Sequence, residues 1–216
     1  MRLLVIGGNG QTGRLVIGEA LERGHTITAL IRNPEVVSAQ NGLTITKGTP
    51  LEISDVENAF NATPNDMPSA VIVTLGSSKE PGSRILTDAY ANLISVMTKY
   101  NVIKIAALSA FGTGSSRANI AFAMRWAISH TRLGNSFADH DRADENMKKS
   151  GLDFVFARAS RLTVAERAPV KFYGDEGAGM GAFAGMGGVS RSSVAVFLVD
   201  AVEKNTWDRT TPVVSN

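Results

Sequence analysis

Seven residues near the start of the chain, Gly7-Gly8-Asn9-Gly10-Gln11-Thr12-Gly13, carry the clearest chemical signal. They lie between a continuous apolar run, Leu3 to Ile6, and a helix pattern beginning at Gln11. Gly7, Gly10 and Gly13 have G-x-x-G-x-x-G spacing. Such glycines allow a tight turn, close approach of backbone to a pyrophosphate, and close packing of helix on strand. The helix that follows presents free N–H groups and the positive end of its dipole to the phosphates. Gly7, Asn9, Gly10, Gln11, Thr12 and Gly13 are therefore expected to cradle a dinucleotide. The end of the second strand chooses between dinucleotides. A carboxylate there would bind the adenosine ribose, whereas an arginine accommodates a 2′-phosphate. This chain reads Ala29-Leu30-Ile31-Arg32-Asn33-Pro34, with no acid before Glu35. Arg32, with Asn33 beside it, points to NADP(H) in preference to NAD(H).

Other familiar chemistries are missing. The 216 residues contain no cysteine, so there is no disulfide framework, thiol nucleophile or thiolate metal site. The three histidines, His25, His130 and His140, are far apart in sequence, which disfavours a zinc centre. A formal charge of +2 without a basic run gives no polyanion-binding field, so no nucleic-acid partner is expected. Leu3 to Ile6 is too short for a signal core, and no stretch approaches the length of a membrane span. A cytoplasmic protein without membrane contact is expected, a monomer in preference to a dimer.

The elements that must position the glycine loop alternate. Strands are expected at Leu3–Ile6, Thr26–Ile31, Leu43–Thr46, Ala70–Thr74, Lys104–Leu108 and Asp153–Ala157. Helices are expected from about Gln11 to Arg23, Ser83 to Tyr100, Asp139 to Lys149 and Ser192 to Glu203. A short helix should open at Ser54-Asp55-Val56-Glu57, which matches a capping box. This order implies crossover connections and a doubly wound, mostly parallel sheet with helices on both faces, a three-layer Rossmann-type α/β fold. No linker divides residues 1–216, so one domain is expected. Two stretches break the rhythm: an apolar segment at 117–130, and residues 174–188, which hold seven of the 21 glycines.

The segments VIGGNGQTGRLV, IRNP, LSAFG, SGLDFVFAR and VSRSSVAVFLVDAVE together resemble the NAD(P)H-binding atypical short-chain dehydrogenase/reductases. That family includes the NmrA-like proteins and the flavin/biliverdin-IXβ reductases. The resemblance implies that Thr74, Leu75 and Gly76 follow the fourth strand beside the cofactor, and that Ser109 closes the fifth near the nicotinamide. It also implies that Arg158 to Leu162 follow the sixth strand near the same ring, with Ala159, Ser160 and Leu162 as cofactor contacts. Residues 109–135 and 159–190 would form the substrate side.

The chain departs from the wider superfamily at one place. Reductases that make alcohols use a Tyr-x-x-x-Lys pair on the helix before the sixth strand; here those positions hold Ser136 and His140. Tyr100 and Lys104 have the right spacing but belong at the opposite end of the sheet. Without that tyrosine, hydride transfer to a planar conjugated acceptor (a flavin, a biliverdin-like tetrapyrrole or a quinone) is easier than ketone reduction. Ser109 and His140 are then the catalytic candidates, and Asp139-His140 matches an Asp-His step in the flavin/biliverdin reductases. The alternative is an NmrA-like sensor that binds NADP(H) without turnover. Phe122, Met124 and Trp126 could cover the acceptor pocket or meet a partner. Residues 174–188, with Met180, Phe183 and Met186, read as a lid over a flat apolar substrate.

Overall fold

The structure is a computed structural model that describes residues 1–37, 40–180 and 188–216. An eight-stranded sheet runs in the order β3-β2-β1-β4-β5-β6-β10-β8. Its strands are β1 (Arg2–Ile6), β2 (Thr26–Ile31), β3 (Leu43–Lys47), β4 (Ala70–Val73), β5 (Lys104–Ala110), β6 (Asp153–Ala159), β8 (Lys171–Phe172) and β10 (Val213–Ser215). Every neighbouring pair is parallel except β10 with β8, which is antiparallel. A separate parallel pair joins β7 (Arg161–Thr163) to β9 (Gly188–Ser190).

Side-chain alternation along the strands builds a core on each face of the sheet. Leu3 and Val5 of β1 face α1 (Gln11–Glu22) and α6 (Arg191–Glu203). Leu4 and Ile6 face α2 (Ile53–Asn61), α3 (Ile85–Lys99) and α5 (Leu133–Lys149). All four strand residues are fully buried, which explains why the strand reads as an unbroken apolar run. Arg23, just past α1, ties the first layer together by pairing with Asp200 at 2.6 Å and Glu203 at 2.7 Å on α6. His25 joins the same cluster through Glu203 at 2.8 Å.

Several expectations need correction. The helix at 53–61 begins one residue before Ser54, with Glu52 at its cap position and no side-chain cap. Asp55 instead accepts a hydrogen bond from the Thr49 amide at 2.9 Å, so the capping box does not form. α5 starts at Leu133, six residues before the expected Asp139. β6 runs through Arg158 and Ala159, so these two residues lie within the strand and do not follow it. The 117–130 stretch contains the end of a 3-10 turn (Gly114–Asn119) and α4 (Phe122–His130). α4 is held by a third cluster, in which Ile128 packs with Ile120, Phe111, Phe137 and Val213.

Candidate functional site

Strand order reverses between β1 and β4, because one crossover leads outward to β2 and the other passes back to β4. In open α/β sheets such a switch point leaves a crevice beyond the carboxyl ends of the strands. A cleft of about 530 Å³ lies there, lined by Gly7, Asn9, Gly10, Arg32, Asn33, Thr74, Leu75 and Gly76, together with Leu30, Ile31, Gly48 and Pro50. The last four carry no chemical signature in sequence; they line the cleft because they end β2 or follow β3. A larger groove, about 600 Å³, shares no residue with this cleft and lies against β8 and α6, where Phe172, Phe197 and Trp207 touch.

The three spaced glycines make the turn possible. Gly7 has φ +81°, in the left-handed region that favours glycine, and an added Cβ would lie 3.0 Å from Thr74 backbone. A Cβ on Gly13 would lie 2.2 Å from the Gly7 carbonyl oxygen and 2.8 Å from Thr74 Oγ1. Gly10 occupies the cap position of α1 without a side-chain cap, and there is no acid in the first turn. The first amides of α1 therefore remain available to an anion. Thr74 donates to the Ile6 and Gly7 carbonyls at 3.2 and 3.1 Å, holding the two loops together. Arg14 closes over the turn by donating to Asn9 O at 3.1 Å and Asn9 Oδ1 at 2.5 Å. The loop and these amides fit a dinucleotide pyrophosphate. Arg32 is exposed at the end of β2. Gln11, Thr12 and Gly13 form the first turn of α1, with Thr12 and Gly13 buried.

Ser109 lies in β5, one residue before its end, and its hydroxyl has a single weak contact, 3.5 Å to Thr113 Oγ1. Its hydrogen-bonding capacity is therefore largely unspent. Ser136 of α5 meets Ser77, one residue beyond Gly76, through their hydroxyls. His140, one turn further along α5, has no hydrogen-bond partner among the described residues. Burial holds its pKa below the usual 6.5, against the opposing pull of Asp139, Asp141 and Asp144. The ring is accordingly expected to titrate below pH 6.5, followed by NMR of its C–H protons; a midpoint at or above 6.5 would contradict the burial argument. Because its folded pKa is depressed, His140 contributes stability above pH 6.5 that is lost as the pH falls below it.

Neither aspartate beside His140 bonds to it. Asp139 is fully buried and accepts from the Leu86 amide at 2.9 Å, the Thr87 amide at 3.0 Å and the Thr87 hydroxyl at 2.6 Å. It thus caps α3 from α5, a role invisible in sequence because the partners are 52 and 53 residues away. Asp141 accepts from Arg117 Nη2 at 2.5 Å and the Gly114 amide at 2.8 Å.

The residues around the end of β6 divide. Arg158 is fully buried and donates to Asp144 Oδ2 at 2.9 Å, Ser115 Oγ at 2.9 Å and the Asp175 carbonyl at 2.7 Å. Ser160 is buried, 3.2 Å from Ser215 Oγ, and Ala159 is buried in the core. Leu162 lies on β7 and packs on the α1/α6 core. None of Ser109, Ala159, Ser160 and Leu162 lines the cleft at the switch point. Tyr100 and Lys104 sit at the opposite end of the sheet, as expected: the Tyr100 hydroxyl accepts from Asn61, and Lys104 pairs with Asp208. Of the glycine-rich stretch, 174–180 is held at its base by Arg158 and by Asn119, which donates to the Glu176 carbonyl at 3.0 Å. Residues 181–187, including Phe183 and Met186 and making seven of the fifteen residues of the expected lid, lie outside the described residues.

The sequence profile of the NAD(P)H-binding family matches residues 7–205. The chain belongs to that family. Among solved structures, this NAD(P)H-binding protein is similar to the anaerobillin reductase ChuY from Escherichia coli, with 17% identity, a TM-score of 0.79, and 100% and 97% of the two chains covered. It is also similar to a short-chain dehydrogenase/reductase from Veillonella parvula in complex with NADP, at 18% identity and TM-score 0.74, covering 100% and 94%. A third, the oxidoreductase ylbE from Lactococcus lactis, aligns at 16% identity and TM-score 0.77, covering 100% and 91%. At these identities the likeness speaks for the fold alone. Among the described residues no helix is long and apolar enough to cross a membrane, and no group of three His, Cys, Asp or Glu side chains is placed to hold a metal.

Proposed function

We propose that this protein is an NADPH-dependent reductase that passes a hydride to a planar conjugated acceptor, such as a flavin, a biliverdin-like tetrapyrrole or a quinone. The observation that carries the reading is the pairing of a glycine-built phosphate cleft with a helix α5 that presents Ser136 and His140 where alcohol-forming reductases carry tyrosine and lysine. When bound, NADPH supplies the hydride. The chain holds the pyrophosphate on the amides of Gly10 to Gly13 and the 2′-phosphate on Arg32, with Asn33 beside it. Thr74, Leu75 and Gly76 flank the cofactor, and Ser109, Ala159, Ser160 and Leu162 belong to its nicotinamide side. The Ser109 hydroxyl orients the reacting rings. His140, neutral at pH 7, relays a proton by accepting at one ring nitrogen and donating from the other. A conjugated acceptor spreads the incoming charge, so no strong acid is needed beside it.

Steady-state oxidation of NADPH with FMN, biliverdin or a quinone tests this reading. Turnover with at least one acceptor is expected, falling on Ser109→Ala. Tight NADPH binding with no turnover on any of them would overturn it in favour of an NmrA-like redox sensor, a reading that Ser136 and His140 also suit. The cofactor preference has its own test. Arg32→Ala should weaken NADPH binding by about 1.5–3 kcal/mol, the value of a charge-assisted contact, and leave NADH binding almost unchanged. Equal losses for the two cofactors would remove Arg32 from the 2′-phosphate site.

A further inference from the structure

Helix α5 carries a polar stripe that runs from the cleft to solvent. Ser136, His140, Asp144 and Lys148 follow one another at four-residue spacing, so each side chain lies about one turn, roughly 5–6 Å, from the next. The stripe begins where Ser136 meets Ser77, one residue beyond Gly76 of the cleft lining. That first turn is set against α4, since an added Cβ on Gly134 would lie 2.3 Å from the Ile128 carbonyl oxygen. The stripe ends in solvent at Lys148, whose ammonium is 2.9 Å from Asp144 Oδ2. The sheet beneath continues the arrangement. Ala107 of β5 and Phe156 of β6 are paired in register and pack in the core under α5; two residues on, Ser109 and Arg158 are paired in the same way and face the same side.

Asp144 is unevenly used. Its Oδ2 accepts from both Arg158 Nη2 and Lys148 Nζ, each at 2.9 Å. Its Oδ1 is buried and has no hydrogen-bond partner among the described residues. A buried carboxylate oxygen without a donor is costly and calls for a role. His140, one turn back on the stripe, is equally without a partner. The other charged groups around the ring are committed elsewhere. Asp139 holds the start of α3 and lies 4.0 Å from Arg142, and Asp141 holds Arg117 and the Gly114 amide. From α3, Tyr90 faces the same space as a neutral phenol, its pKa pushed far up by burial and then by Asp144.

We propose that Asp144 is the positioning residue of the proton step, its Oδ1 accepting the N–H of the His140 ring while that ring is a cation. The ring takes a proton from water at the nitrogen facing Asp144, is held there by the carboxylate, and gives the proton on its other nitrogen to the reduced acceptor. One N–H bond forms and one breaks, and the ring is neutral before and after. Arg158 in turn fixes Asp144 from the sheet, beside Ser109. The inference rests on the reductase reading for the fate of the proton, and it adds the group that steers it.

The His140 midpoint, followed by NMR of its C–H protons, tests the pairing without any turnover. Asp144→Asn keeps a carbonyl oxygen for Arg158 but removes the negative charge, so the cationic ring loses its counterpart. The midpoint should fall by about one unit. Lys148→Met removes an exposed cation from the same carboxylate and leaves the buried pair intact, so it should move the midpoint slightly upward. That opposite sign is one that general damage to the fold would not produce, and it keeps the test decisive if Asp144→Asn does not fold. Turnover with FMN at pH 7 should drop roughly tenfold in Asp144→Asn, because fewer rings carry the second proton, with KM for NADPH unchanged. An unchanged or raised midpoint in Asp144→Asn, a lowered one in Lys148→Met, or full turnover in Asp144→Asn each overturns the proposal. The expected midpoints in a protein that oxidises NADPH with no acceptor would instead overturn the reductase reading and leave the Asp144–His140 pairing standing.

Discussion

Replacing Arg158 by alanine is expected to lower the unfolding free energy by about 3–5 kcal/mol, the usual consequence of stranding one member of a buried ion pair. Its guanidinium has no exposed surface, and Asp144, its partner at 2.9 Å, is 4% exposed. After the substitution Asp144 would keep Lys148, also 2.9 Å away, but that side chain is 44% exposed and its charge is shared with water. The same change removes a partner from Ser115 Oγ and the Asp175 carbonyl, leaving only their own contact at 3.4 Å, so the turn after β5 and the base of the glycine-rich stretch lose a common anchor. Gly114, at φ +51°, belongs to this arrangement, since an added Cβ there would lie 2.5 Å from Arg158 Nη2. Urea unfolding at constant m-value measures the loss. The double variant Arg158→Met/Asp144→Leu should recover much of it, because no buried charge is then left alone. A loss below about 1 kcal/mol in the single variant would show that water reaches Asp144 and that the pair is energetically minor.

Gly13→Ala should be the most damaging single methyl group in the cleft. The added Cβ would meet Gly7 O at 2.2 Å and Gly8 Cα at 2.8 Å, both main-chain atoms that cannot rotate away. The start of α1 must then move off the loop, which costs about 1–3 kcal/mol of strain and displaces the amides that face the phosphates. NADPH affinity is expected to fall by roughly tenfold to a hundredfold, in line with that energy. Gly18→Ala is the matched control, because it lies in the same helix with no atom within 4 Å of the added carbon. It should raise stability slightly through helix propensity, by about 0.5–1 kcal/mol, and leave binding intact. Unchanged NADPH affinity in Gly13→Ala, measured by calorimetry, would mean that the loop is looser than its packing implies.

The glycine spacing, the apolar strands and Arg32 are local signals, and each sits within its own element at the switch point. Asp144 with Arg158, and Asp139 with Leu86 and Thr87, are contacts between elements, and nothing in the spacing of a polar helix marks which of its acids will be buried. The start of α5 was hidden because Gly134, Asn135 and Ser136 are weak helix formers; Gly134 is there for close approach to α4. Short strands such as β8 and β10 are legible only from their partners, since two or three residues carry no periodicity. The Ser54 capping pattern failed because Asp55 had a better donor, the Thr49 amide, in a turn closed by Gly48.

The terminal strand β8 has a further consequence, for solubility. A sheet's last strand leaves a row of unpaired amides and carbonyls that can template growth by another chain. Here that strand has two residues, one of them Lys171, and Pro169 just before it has no N–H to offer. A second molecule would find almost no ladder to extend and would have to desolvate a charge to reach it. That edge of the sheet is therefore built to end, and crowded conditions should not turn it into a seed for aggregation.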